Sequence, residues 1–268
     1  MRGDPDPLRR ALRAAELAVT YQQRATELAR VRKAAIEEAH REKNLSYTEI
    51  AAALGISKGR ITQIRGAAPG RERAFFGVGP VHIGVPLRRL TDHRTRTYID
   101  ASDSAAQEQA ESVLTGLSLA AARFTIESDR EEAPAGDSIV ICGPRSAPLG
   151  AKLLDADPRL GFIRENDRWA IVDRVAGARF WSPRMSEPAE NVEYGYAARH
   201  RHDDHVIIHV AGITAVGSSG VLHYLGTNLR PLYDGVGDRS FSMVVRCAFA
   251  NDTKITSSEV VAGPYPWD

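Results

Sequence analysis

Two groups of residues stand out for the chemistry that their types and spacing allow. The first is Ser57, Lys58, Gly59 and Arg60, followed one turn later by Thr62, Gln63 and Arg65. A guanidinium such as that of Arg60 can donate two parallel hydrogen bonds to a guanine edge, and the carboxamide of Gln63 can pair with adenine. Thr48, Lys58 and Arg65 suit phosphates, which position a protein on a duplex without specifying sequence. The second group lies in two stretches, SIVICGPRSAPLGAKLL with Gly143, Arg145 and Ser146, and HVIIHVAGITAVGSSGVLHYL with Gly217, Ser218, Ser219 and Gly220. Each reads as an apolar strand, a small-residue loop and a helix. That form offers backbone N–H groups and a positive helix end to an anion. Packing alone also places glycines at strand ends, and both readings stand.

Other chemistry has less behind it. RHRHDDHVIIH contains His200, His202, Asp203, Asp204, His205 and His209. In a strand only alternate side chains share a face, so His205 would align with His209 and Asp204 would not. A solvated loop before a buried strand is the simpler reading, and no metal is expected. Asp173, Glu193 and Tyr194 are candidates to line a pocket, but no spacing groups them. GxxxxGK[ST], GxGxxG and G-x-S-x-G are absent. No catalytic residue is assigned and no cofactor is expected.

The elements that must carry the first group are local and legible. From Pro7 to about Lys43 the chain is rich in strong helix formers and has no internal glycine or proline. Asp6 can cap it. Its apolar residues Leu8, Leu12, Ala15, Val19, Leu28, Val31, Ala35 and Ala39 form a stripe interrupted near Gln22 and Gln23, where a break is expected. The first half of the stripe suits a dimer contact. Ser46 and Glu49 have capping-box spacing before a helix Tyr47–Leu54, Gly55 can turn the chain, and Ser57 can cap a second helix to Arg65. Ile50, Ala51, Leu54, Ile56, Ile61 and Ile64 would lock the pair together. Two short helices joined by a glycine-containing turn have helix-turn-helix geometry. YTEIAAALGISKGRITQIR resembles the helix-turn-helix of sigma-factor region 4 and related bacterial regulators, over about residues 30–66. The resemblance implies contact with double-stranded DNA, not sigma activity.

Residues 66–80, GAAPGRERAFFGVGP, read as a break. This gives a helical DNA-binding domain 1–66, a linker 67–80 and a domain 81–268, with Phe75 and Phe76 docking on the last. There, strands are expected at 82–88, 123–128, 138–142, 168–174, 178–182, 205–212 and 242–250, and helices at 104–121, after 150 and after 220. The alternation suggests a Rossmann-like α/β domain with a mostly parallel sheet.

The 268 residues, 43% hydrophobic and 26% charged, can fill a sizeable core. No apolar run approaches membrane-spanning length, so no membrane association is expected. MRGDPDPLRR has no apolar segment behind it, so no secretory signal is expected, and two cysteines in apolar runs fit a cytoplasmic protein. The net charge of +1 hides an asymmetry: residues 1–73 hold 15 Lys and Arg against 9 Asp and Glu, leaving 20 against 25 for the remainder. A basic piece on an acidic body suggests that the first part meets a polyanion. The expectation is a transcriptional regulator that binds an operator as a homodimer and is controlled by a small, nucleotide-like ligand. The alternatives are a nucleotide-processing glycosidase or transferase with a DNA-binding appendage, and a DNA-tethered scaffold.

Overall fold

The computed structural model describes residues 5–91, 93–251 and 253–267. Helix α1 (Pro7–Glu42) begins as its sequence requires: Asp6 accepts from Leu8 N and Pro7 takes the first helical position. It runs without the break expected near Gln22 and Gln23. The polar interruption of the stripe has another cause. Gln23 is buried, and its carboxamide oxygen accepts from the fully buried Arg73 guanidinium at 2.8 Å.

Helix α2 (Tyr47–Ala53) carries the complete capping box: Glu49 N donates to Ser46 Oγ, and Ser46 N donates to Glu49 Oε2 at 2.8 Å. Gly55 turns the chain at φ +65°, a conformation that an L side chain resists. Ser57 then caps α3 (Lys58–Ala67). Ile36 of α1 joins Ile50, Ala51, Ile61 and Ile64 in a small buried core. Leu54, expected in that core, is 49% exposed instead, because the chain has already left the helix there.

The stretch after α3 is not a solvated connection. Arg71–Phe76 forms a turn of 3-10 helix whose Phe75 and Phe76 enter the main hydrophobic core. The buried Arg199 donates to the carbonyls of Ala74, Phe75 and Arg239, which anchors this turn to the sheet. Arg73 reaches back to Glu27 Oε2 at 3.0 Å. Helix α1 is thus tied to the α2–α3 pair by its second half and to the larger domain by its middle.

The α/β part runs β1 (Val81–Pro86), β2 (Arg88–Thr91), β3 (Thr95–Tyr98), α4 (Ala101–Gly116), β4 (Ala121–Ile126), β5 (Ser138–Ile141), α5 (Pro148–Asp155), β6 (Leu160–Glu165), β7 (Arg168–Asp173), β8 (Arg179–Trp181), β9 (Val192–Arg201), β10 (Val206–Gly212), α6 (Ala215–Val236), β11 (Ser240–Ala250) and β12 (Lys254–Trp267). The described residues form a seven-stranded mixed sheet of order β12-β11-β9-β10-β5-β1-β4. Strands β4, β1, β5 and β10 pair in parallel; β9, β11 and β12 add antiparallel ladders, so five strands share one direction. Helices α4 and α6 cover one face, and α5 with the antiparallel sheet β6–β7–β8 packs on the other.

Three sequence expectations differ. RHRHDDH is not a loop leading into a strand: residues 199–201 end β9 and the turn follows. The loop expected before 220 is helix, since α6 begins at Ala215. Ser240–Ala250 is not the last strand, because β12 follows it as a half-exposed edge in which Pro264 and Pro266 are tolerated.

Candidate functional site

The polar group on α2 and α3 is presented outward. Thr48, Ser57, Lys58, Gly59, Arg60, Thr62 and Gln63 are all exposed, while Ile61 and Ile64 on the opposite face are buried. Arg60 Nη1 donates to Gln63 Oε1 at 3.1 Å, so the two base-reading candidates lie side by side. Arg65 differs. Its guanidinium sits over the Tyr47 ring, 4.2 Å from the centroid, and lies 3.9 Å from Glu37 Oε1, so it is committed to internal contacts.

The second candidate site is a cavity of about 470 Å³ at the carboxyl ends of β1, β5 and β10. Open α/β sheets bind ligands at this edge, because loops and helix starts converge there. The volume falls within the usual range for small-molecule sites. Gly143, Arg145, Ser146 and Ser218 line it. Gly217 and Gly220 do not: they lie inside α6, where an added Cβ would strike Tyr194 O and the Cys247 side chain. These glycines let α6 lie directly on β9 and β11. Ser219 faces a neighbouring cavity.

Four members of the wall have no signal in the sequence around them. Phe162 and Trp169, from β6 and β7, pack edge to face with centroids 6.4 Å apart and form an aromatic side. Arg88 and Asp103 are joined at 2.9 Å. Burial raises the Asp103 carboxyl above its ordinary range, and Arg88 opposes that shift. Arg145 is exposed and has no hydrogen-bond or ion-pair partner among the described residues. The only pointer to Arg88, Asp103, Phe162 and Trp169 would have been their neighbours in the fold, and these lie far away in the chain.

Of the three helices that start at this edge, α4 has a side-chain cap and α5 and α6 lack one. Helices α1 to α4 are capped by Asp6, Ser46, Ser57 and Asp100, whereas α5 and α6 have none. Thr214 stands at the cap position of α6, yet its hydroxyl donates to the buried Glu193 Oε2 at 2.9 Å. Ser182 Oγ donates to the same oxygen and Tyr194 N to the other. Burial raises the Glu193 carboxyl, against these hydrogen bonds. At α5, Pro148 has no N–H, Leu149 N donates to Arg130 O and Gly150 N to Ala147 O, so its first turn offers nothing; the first-turn amides of Ala215 and Val216 on α6 are the ready partners for an anion.

Comparison of the chain with family models, characterised proteins and solved structures finds no match.

The remaining candidates separate. Asp173 is bound by Arg159 and by the amides of Val175 and Ala176 in the β7–β8 turn. His202 and His205 stack in the β9–β10 turn, with centroids 4.4 Å apart. His200 and His209 are buried on neighbouring strands. No three His, Cys, Asp or Glu among the described residues group as a metal site.

Proposed function

We propose that the protein is a transcriptional regulator that reads an operator through a helix-turn-helix formed by α2 and α3, as a homodimer, and that a small nucleotide-like anion held by a Rossmann-like domain controls it. The observation that carries the ligand half is the cavity at the strand ends, with unpaired Arg145, the uncapped start of α6 and an aromatic wall. The DNA half rests on the capped α2–α3 pair, with its exposed polar face and its resemblance to sigma region 4. The dimer half rests on the first part of α1. Leu8, Leu12 and Val19 are 79%, 65% and 42% exposed there, an apolar stripe that a second copy would cover. Control requires a ligand that binds one arrangement of the dimer better than another. The Arg73 contacts to Gln23 and Glu27 offer a direct link from the ligand domain to α1.

Two experiments test this reading. A thermal-shift screen of the full chain against nucleotides should find a ligand that adds about 2.7 kcal/mol at 100-fold excess over Kd, and Arg145→Glu should remove the effect. No shift across the panel would remove the ligand half and leave the DNA half standing. For DNA, an operator is first selected from random duplexes. Arg60→Ala should then lose about 1–3 kcal/mol on that operator and little on unrelated DNA. Lys58→Ala should weaken both and lower the salt slope by about one. Equal operator affinity of Arg60→Ala and wild type across a salt series would refute the recognition role.

A second reading draws on the raised carboxyl of Asp103 in the cavity, since shifted titrating groups in clefts often mark catalysis. On that reading the protein processes its nucleotide. Turnover of the compound found in the screen would decide for it.

A further inference from the structure

We propose that the ligand is a dinucleotide seated across the first turn of α6, with one nucleoside in each of two adjoining cavities. This rests on the reading that the cavity at the strand ends takes a nucleotide-like anion. A second cavity, of about 750 Å³, opens on the other side of the same turn. Thr214 and Ala215 line both cavities, so the start of α6 is their shared wall.

Two helices divide consecutive polar residues between the cavities. On α6, Ser218 faces the first and Ser219 the second. On α4, Asp103 faces the first and Ser102 the second. Neighbours on a helix point about 100° apart, so paired polar residues at two helix starts furnish both sides of one partition. Ser218 Oγ also accepts from Gly212 N at 2.9 Å, which fixes it at the wall of the first cavity, whereas no such bond among the described residues holds Ser219 at the second.

The cavities differ in chemistry as the two ends of such a ligand would. The first holds Arg145, the Arg88–Asp103 pair and the Phe162–Trp169 wall, which suits a base and a charged sugar-phosphate. The second is walled by Val216 and Ile255, with Gln109, Ser219 and His223 as hydrogen-bonding groups and Asp100 and Arg184 as charged ones, which suits a second nucleoside. The bridging phosphate would lie between them, at the amides of α6 that Thr214 leaves uncapped.

The test is calorimetric titration of the full chain with 5′-AMP and 5′-GMP, with linear and cyclic 3′,5′-linked dinucleotides of adenosine and guanosine, and with NAD⁺. Gly143→Leu narrows the first cavity, at a position where an added Cβ meets nothing within 4 Å. Ala105→Trp fills the second from an exposed helix position. At least one dinucleotide should bind more tightly than either mononucleotide. Each variant should weaken that dinucleotide at least tenfold, and only Gly143→Leu should weaken a mononucleotide. A dinucleotide that binds Ala105→Trp as it binds wild type, while Gly143→Leu loses it, would overturn the two-cavity proposal and leave the one-cavity reading intact. A mononucleotide that binds as tightly as the best dinucleotide would do the same. If no probe binds, or if Gly143→Leu changes nothing, both fall.

Discussion

Asp137→Ala is expected to cost about 4 kcal/mol of folding stability, a large share of what holds a typical domain folded. Asp137 is buried just before β5, and its carboxylate accepts three backbone N–H groups. Val78 N and Gly79 N donate to Oδ2 at 2.8 Å each, and Val206 N donates to Oδ1 at 2.9 Å. One side chain thus joins the segment after Arg71–Phe76 to the starts of β5 and β10. Gly77, at φ +84°, has no room for a Cβ because the same carboxylate occupies it. Alanine would leave three amides unsatisfied where water has little access, and each such group costs about 1–3 kcal/mol. Urea denaturation should show a lower midpoint with an unchanged slope. Asp137→Asn keeps one acceptor and should fall between the two. An alanine variant with the midpoint of wild type would show that those amides find other partners.

Acidification is expected to weaken the fold well before the ordinary carboxylate range. His209 is fully buried. Its Nε2 lies 2.8 Å from Cys142 O, and because a carbonyl only accepts, that nitrogen carries the proton. Nδ1 is then a buried lone pair without a partner. Burial pushes the pKa of His209 down to about 4. His200, with its ring edge against Trp267, is pushed down to about 3 by burial and by the neighbouring His209. Unfolded histidine titrates near 6.5, so below that pH the unfolded chain binds more protons than the folded one. Stability is therefore complete above about pH 6.5 and declines as pH falls toward 3–4. At pH 5 each histidine contributes a loss of about 2 kcal/mol. The raised carboxyls of Asp103 and Glu193 act in the opposite sense, because protonating them relieves their burial. Urea midpoints at pH 7 and pH 5 should differ by an amount that falls by about half in His209→Gln. Equal midpoints for wild type at the two pH values would sink the argument.

The N-terminal helices were readable because their signals are local. Ser46 with Glu49, Gly55 and Ser57 each act within four residues of their own position, and the caps and the turn follow from them. The same holds for β5 and β10, whose short apolar runs announce buried strands. Part of the candidate cavity was legible for that reason: Gly143, Arg145 and Ser146 follow β5 directly, and Ser218 lies in the first turn of the helix after β10.

The other half was decided by tertiary contacts. Glycine and serine are poor helix formers, so GSSG reads as a loop. It is helical because α6 needs small residues where it presses on β9. Arg199 and His200 read as solvent-facing, yet they end a buried strand. Arg199 is accommodated there only because three carbonyls, from residues more than a hundred positions upstream and forty downstream, converge on it. Arg88 and Asp103 line one cavity with Arg145 through the parallel pairing of β1 and β5, and Trp169 joins them through the packing of β6–β8 on the sheet, which no single segment encodes. Local propensity and capping act within a turn, so the sequence by itself determined the helical pair and the apolar strands. Sheet order and the burial of charged groups depend on contacts between distant residues, so only the tertiary structure decided the antiparallel half of the sheet and the composition of the cavity.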